Sequence, residues 1–194
     1  MNVNIHFAKP VSIYENTINK CAGRFCHCEV SIELDSDILA VIIDSCIQEA
    51  HDPLYLTKLL LKVKKIKNKI HFCFYVLLNE VVSIRFFNDL GDEFNAPPDD
   101  EIYETIKIEV ESIEKLKEYI TWNLCQINKS YDLVRAALLF FPVTLRTTAL
   151  PDKFFCSQLV MHSLKNLEMP MPDKDINHMK PDDVYDWLCE VTKE

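Results

Sequence analysis

The sequence predicts an α+β fold in which a small, mostly antiparallel sheet packs against helices. Residues 26–34 (CHCEVSIEL) alternate between apolar and polar side chains, the pattern of a strand with two different faces. Residues 112–127 and 154–167 instead repeat their apolar side chains at helical spacing. Because 194 residues is the length of one domain, we expect these elements to share one core over residues 1–194.

Composition and charge restrict the class of protein. With 48% hydrophobic and 26% charged residues, the chain is typical of a soluble globular protein and unlike disordered or collagen-like chains. The apolar runs 72–78 and 136–143 are too short to cross a bilayer, and the N-terminus lacks the pattern of a signal peptide. We therefore expect a cytoplasmic protein. The net charge of −9 argues against nucleic acid as a partner.

The numbers of cysteine and glycine residues restrict the kinds of disulfide and binding site that the chain can form. Without a secretory signal, we expect the eight cysteines to be reduced. The two glycines are too few for a glycine-rich phosphate-binding loop. A zinc cluster of Cys21, Cys26, Cys28 and His27 lacks the usual C-x-x-C spacing, and an alternating strand places His27 opposite the two nearer cysteines. We expect no bound metal and no cofactor.

The remaining helices and strands are predicted from local sequence patterns and from residues that form turns or begin helices. In the first half, we predict a strand over 2–7, a helix over 11–20 after Pro10, and a buried strand over 38–45 that forms a hairpin with 26–34 through the turn at Asp35-Ser36-Asp37. In the second half, we predict strands over 70–78 and 102–110, a polar loop over 91–100, helices over 112–127, 131–141 and 154–167, and a last helix that begins at Lys180-Pro181. Residues 79–90 are ambiguous.

The polar face of strand 26–34 holds the first candidate functional pair. His27 and Glu29 are two residues apart, so in an extended strand both side chains project from the same face. A carboxylate beside an imidazole raises its pKa, fixes its tautomer and can orient it as a general base. The alternative interpretation is a solvated strand face without chemistry.

Cys156 is the second candidate. It lies in KFFCSQLVMHSL, after Pro151-Asp152 and at the predicted start of an amphipathic helix. The helix dipole and the free N–H groups at such a position favour the nucleophilic thiolate and can stabilise an oxyanion. The alternative interpretation is that Cys156 is a small apolar residue of a core helix.

Four short motifs, taken in order, resemble one protein group. They are His27-x-Glu29 on a strand, Tyr131-Asp132-Leu133 opening a helix, Phe155-Cys156-Ser157-Gln158 opening another, and the closing Pro181-Asp182-Asp183-Val184-Tyr185. This order resembles the circularly permuted branch of the NlpC-type papain-like superfamily, in which the histidine strand precedes the cysteine helix. That branch includes the bacterial YiiX proteins, homologues in poxviruses and other large DNA viruses, and, more remotely, lecithin:retinol acyltransferase. The resemblance covers residues 1–50 and 102–189.

The resemblance implies a cysteine hydrolase or acyltransferase with a permuted papain-like fold. Cys156 would be the nucleophile, His27 the base, and Tyr131 part of the wall of the site. Glu29 is the first choice for the residue that orients the imidazole, with Asp44 and Ser45 as alternatives. The substrate would be a peptide or an acyl or lipid ester, cleaved through a thioester.

The second interpretation of the same resemblance is a different class of protein. A virus-encoded structural or accessory protein could keep this fold as a binding module, in the host cytoplasm or in the virion. A third interpretation is an acyltransferase that docks on a lipid surface. Residues 58–100 are expected to be an insertion relative to the compact bacterial forms, and the six lysines over Lys58–Lys69 would contact a membrane surface or a protein.

Overall fold

The computed structural model of the chain describes residues 1–10, 23–67, 69–77, 80–87, 102–139 and 152–192. The predicted helix over 11–20 and loop over 91–100 lie outside these residues. Within them the structure is α+β, as predicted. The strands are β1 (Asn2–Ala8), β2 (His27–Asp35), β3 (Lys69–Tyr75), β4 (Ser83–Phe87), β5 (Tyr103–Glu109), β6 (Ser130–Tyr131) and β7 (Lys153–Phe154). The helices are α1 (Ser36–Cys46), α2 (Pro53–Val63), α3 (Ile113–Gln126), α4 (Leu133–Leu138), α5 (Cys156–Lys165) and α6 (Pro181–Val191), with a 3₁₀ turn at Ile176–His178.

Five strands form an antiparallel sheet in the order β4-β3-β2-β1-β5, with β2 in the centre. Because side chains alternate across a strand, the register sorts the sheet into two faces. Val30 and Ile32 of β2 lie beside Ile5, Phe72 and their neighbours on one face, and they belong to the core that the helices complete. His27, Glu29, Ser31 and Glu33 project from the other face.

The helix α1 corrects the prediction of a strand over 38–45, and with it the prediction of a hairpin. The run of isoleucine, valine and leucine favoured a buried strand, yet the buried residues Leu39, Ile42, Ile43 and Cys46 recur at helical spacing. Asp35 accepts a hydrogen bond from the backbone N–H of Asp37 and caps the helix, so the Asp-Ser-Asp sequence is a helix start and not a turn.

The other predicted helices agree with the structure in type, with small shifts at their ends. Ser112 accepts from the N–H of Lys115 and caps α3, as predicted. Pro181 occupies the first turn of α6, where its missing N–H costs no hydrogen bond. The predicted helix over 131–141 corresponds to α4, which begins later, at Leu133, behind the cap supplied by Asp132.

Part of the segment 58–100 belongs to the central sheet. The strand β3 pairs with β2, and the ambiguous stretch 79–90 contains the edge strand β4. The helix α2 packs against α1, and the side chains of Lys58, Lys62, Lys64, Lys65 and Lys67 are exposed there. Within the described ranges, none of the helices combines the length and apolar character that crossing a membrane requires.

Candidate functional site

Cys156 is the first residue of α5, as the sequence predicts. The short strand β7 leads into it, and Phe155 occupies the cap position without a side-chain hydrogen bond to the helix N–H groups. Leu159, Val160 and Leu164 bury one side of α5, and the helix lies against β2. This packing brings the start of α5 to the start of β2.

The imidazole of His27, the first residue of β2, is in hydrogen-bonding contact with the thiol of Cys156. Burial disfavours the imidazolium, but the contacts with Cys156 and Glu29 outweigh it and raise the pKa of His27 to about 10. The same contact helps to lower the pKa of Cys156 well below its usual value. Both shifts favour the same state of the pair, a thiolate on Cys156 beside an imidazolium on His27.

Cys28 supplies the strongest support for the thiolate. Its thiol and its backbone N–H both hydrogen-bond with Cys156, and the thiol contact is the largest cause of the low pKa of Cys156. In turn burial, followed by the contact with Cys156, raises the pKa of Cys28 well above its usual value, so Cys28 remains a protonated donor. Cys156 thus lies at the start of β2, where it contacts two successive residues, His27 and Cys28.

Glu29 holds the other side of the imidazole. Its Oε2 lies 3.3 Å from Nε2 of His27, and its Oε1 accepts from the guanidinium of Arg85. The carboxylate is 1% exposed, so the interpretation of a solvated strand face is wrong at this residue. Burial would raise the pKa of Glu29, but His27 and then Arg85 bring it below its usual value.

The alternatives to Glu29 are placed differently from the prediction. Asp44 and Ser45 lie on α1 and not at the end of a strand. Asp44 is exposed, and the hydroxyl of Ser45 donates to the carbonyl oxygen of Ile42 within the same helix. Of the three, Glu29 is the residue that contacts His27.

Tyr131 lies beside the cysteine pair. It forms β6, which pairs in parallel with β7 two residues before Cys156. Its ring is half-buried, and burial together with the charge interactions of Cys156 and Cys28 raises the pKa of its hydroxyl. A neutral phenol therefore stands next to the thiolate.

Two groups of the site were not anticipated. Cys28 was assigned to the opposite face of the strand, and nothing in the alternation shows that α5 would reach it. Arg85 lies 56 residues from Glu29 in the stretch whose pattern is ambiguous. The sequence signal that could have indicated Arg85 is an arginine within a possible strand, because a buried carboxylate such as Glu29 needs a cationic partner.

The seven described cysteines are all free thiols; Cys21 lies outside the described residues. Cys46 and Cys125 form a second thiol pair, and the hydrogen bond from Cys46 lowers the pKa of Cys125 to about 7. Within the described ranges, no group of three or more His, Cys, Asp or Glu side chains is arranged to hold a metal ion.

Comparison with known proteins does not add to the description of the site. No family model, curated protein or solved structure matches the chain. The chemistry of the site is therefore argued from its own residues.

Proposed function

We propose that the chain is a cysteine-dependent hydrolase or acyltransferase that cleaves an amide or ester through a thioester on Cys156. The observation that carries the proposal is the placement of the Cys156 thiol at the first residue of α5, in contact with the imidazole of His27, which also contacts Glu29; this arrangement favours a thiolate–imidazolium charge pair. Taking two charges out of water is costly, and strongly perturbed ionisable groups cluster at functional sites.

Acylation would begin from this charge pair. The thiolate of Cys156 attacks the carbonyl carbon, and the N–H groups in the first turn of α5 lie where they can stabilise the oxyanion. The imidazolium of His27 gives its proton to the leaving amine or alkoxide, and the bond from the carbonyl carbon to that group breaks. The products are a thioester on Cys156, the released amine or alcohol, and a neutral His27.

Deacylation would return the proton. The neutral imidazole takes a proton from water, or from an acceptor alcohol or amine, as this group attacks the thioester carbon. The carbon–sulfur bond breaks and Cys156 leaves as a thiolate beside the newly formed imidazolium. Because Nε2 of His27 lies at Glu29, we assign these proton transfers to Nδ1.

The permuted papain-like fold is part of the proposal. An antiparallel sheet whose central strand begins with His27, a later helix that begins with Cys156, and Tyr131 beside them together match the order that the resemblance implies. The viral origin and the choice between peptide and lipid substrate rest on that resemblance alone.

One observation favours a binding module instead. Cys156 is only 8% exposed, which restricts the approach of a substrate to its sulfur. A protein that keeps the fold without turnover would have the same buried pair. The two functions differ in whether an acyl group can be transferred to Cys156.

The deciding experiment is acyl transfer from p-nitrophenyl acetate at neutral pH. We expect an acetyl group on Cys156, located by peptide mass spectrometry, and steady release of p-nitrophenol as the thioester turns over. Cys156→Ala removes both signals. Cys189→Ala is the matched control and should keep them, because Cys189 is half-buried on α6.

Cys125 is unsuitable as that control because its own pKa is lowered to about 7. If the folded wild-type protein neither carries an acetyl group on Cys156 nor releases p-nitrophenol faster than Cys156→Ala does, the hydrolase proposal is wrong. The binding module is then the better description of the same geometry.

A further inference from the structure

We propose that Arg85 is a positioning residue which keeps Glu29 ionised and oriented while His27 gives up and regains its proton. This inference rests on the proposed function. It concerns a side chain from the edge strand of the sheet, outside the segments that carry the predicted site.

The reach of Arg85 depends on the register of three strands. Arg85 of β4 lies opposite Cys73 of β3, and Cys73 lies opposite Ser31 of β2, all on the polar face. Two strand spacings of about 4.8 Å separate β4 from β2. The guanidinium bridges them because the intervening side chain is a small, fully buried cysteine, which interacts with both Arg85 and Glu29.

The guanidinium is held on more than one side. Its Cζ lies 4.9 Å from the ring centroid of Tyr75, and the hydroxyl of Tyr103 interacts with it. The side chain of Arg85 is 18% exposed, so its charge is only partly screened by water. These contacts direct Nη2 at one oxygen of Glu29.

The two oxygens of Glu29 have separate cationic partners. Oε1 accepts from Arg85 and Oε2 from His27, so the carboxylate is fixed at two points and cannot rotate without losing one of them. An orienting group with one free oxygen would leave the angle of the imidazole less defined.

The charge of Arg85 matters most when His27 is neutral. After acylation the imidazole carries no charge. If Arg85 were absent, Glu29, which is 1% exposed, would then be a buried carboxylate without a cation. Such a group takes up a proton, because burial disfavours its charged form. A protonated Glu29 no longer stabilises the imidazolium that must form again in deacylation. Arg85 cannot lose its proton in this range, so it keeps Glu29 ionised through the cycle.

The test is the pH profile of Cys156 alkylation by iodoacetamide, followed for each cysteine by peptide mass spectrometry. In Arg85→Met we expect the midpoint of the acid limb to rise by about one pH unit, which lowers the rate about tenfold on that limb. Arg85→Lys should restore part of the shift, because it returns the charge but not the fork of the guanidinium. Lys69→Met, which removes an exposed cation of the same sheet that pairs with Glu33, should leave the profile unchanged.

A double-mutant cycle separates positioning from a general effect on the fold. If Arg85 acts through Glu29, then Arg85→Met causes no further change once Glu29→Gln is present. The Glu29→Gln, Arg85→Met protein has no buried charge left unpaired between the two positions, so it remains testable if Arg85→Met alone unfolds. Equal shifts from Arg85→Met in both backgrounds would overturn the proposal, as would a wild-type profile in Arg85→Met. If instead wild-type Cys156 reacts no faster than Cys189, the proposed function itself fails, whatever Arg85 does.

Discussion

Two histidine clusters lie on the polar face of the same sheet, and they differ in charge. At the start of β2, His27 lies between Cys156 and the carboxylate of Glu29, and its pKa is raised to about 10. In the middle of β2, the hydroxyl of Ser31 lies 3.0 Å from Nε2 of His71 on the neighbouring strand β3. Burial lowers the pKa of His71, and the opposite effect of Glu33 is weaker.

The difference lies in what each imidazole touches. Ser31 also lies 2.7 Å from Nε2 of His6, so one hydroxyl serves two rings and adds no charge to either. A neutral partner cannot compensate the loss of hydration, and His71 stays uncharged at neutral pH. At the other cluster, two groups that become anionic reverse the effect of burial. The same residue type on the same face therefore has two roles, one structural and one suited to proton transfer.

The largest expected effect is on stability. Glu29→Ala leaves the partly buried guanidinium of Arg85 without its carboxylate, and we expect a loss of about 3–5 kcal/mol in the free energy of unfolding. Ser31→Ala leaves two ring nitrogens without their hydroxyl and should cost about 1–3 kcal/mol. Chemical denaturation with urea measures both.

Glu33→Ala on the same strand is the control for those two changes. Its side chain is 58% exposed and pairs with the exposed Lys69, so its removal should change stability by less than about 0.5 kcal/mol. A larger loss from Ser31→Ala than from Glu29→Ala would show that the charged cluster is not the more tightly constrained of the two.

The next effect is on the reactivity of Cys156. His27→Ala removes the imidazolium that stabilises the thiolate, and we expect the rate of alkylation by iodoacetamide at pH 6 to fall roughly 10- to 100-fold. His71→Ala should leave the rate unchanged, because this histidine faces Ser31 and not the cysteine. If both variants lose the same reactivity, the loss comes from the sheet and not from the charge pair.

The sequence predicted the parts of this site that are local. Alternation placed His27 and Glu29 on one face, and the helix pattern placed Cys156 at a helix start, because both patterns extend over only a few residues. The strand predicted over 38–45 was wrong because the β-branched residues there favour a strand, whereas the spacing of the apolar residues fits a helix. Which of the two forms depends on packing against the rest of the protein, and composition alone does not show that packing.

The parts that could not be predicted depend on distant segments. Arg85 meets Glu29 only because β3 inserts between β4 and β2 in a particular register, and that register is set by the whole sheet. Cys28 donates to Cys156 because α5 begins beside the start of β2. Neither contact leaves a periodic signal in the residues that make it.

The smallest expected effect is a dependence of stability on pH, and its shape differs between the clusters. The ordinary pKa values of His27 and Cys156 are 6.5 and 9.0. Between them the native pair holds one proton, on the imidazolium, and the unfolded chain also holds one, on the thiol. Because the number of bound protons is equal, the contribution of the pair to the free energy of unfolding should be constant from pH 6.5 to 9.0.

Outside that interval the contribution of the pair should fall on both sides. Below pH 6.5 the unfolded histidine gains a proton that the native thiolate does not, and above pH 9.0 the unfolded thiol loses one that the native imidazolium keeps up to about pH 10. The acid limb should approach a slope of about 1.4 kcal/mol per pH unit, whereas the alkaline limb, confined between pH 9.0 and about 10, should reach about half of that slope. The difference in unfolding free energy between the wild type and the His27→Ala, Cys156→Ala protein, measured from pH ~5 to ~10.5, should show the plateau with both limbs.

The difference between wild type and His71→Ala should show only the acid limb, since the pKa of His71 is lowered and its contribution disappears as pH falls below 6.5. If the alkaline limb is missing, the native pair releases its proton near pH 9.0 as the unfolded thiol does, the pKa of His27 is not raised to about 10, and the contrast between the two clusters disappears.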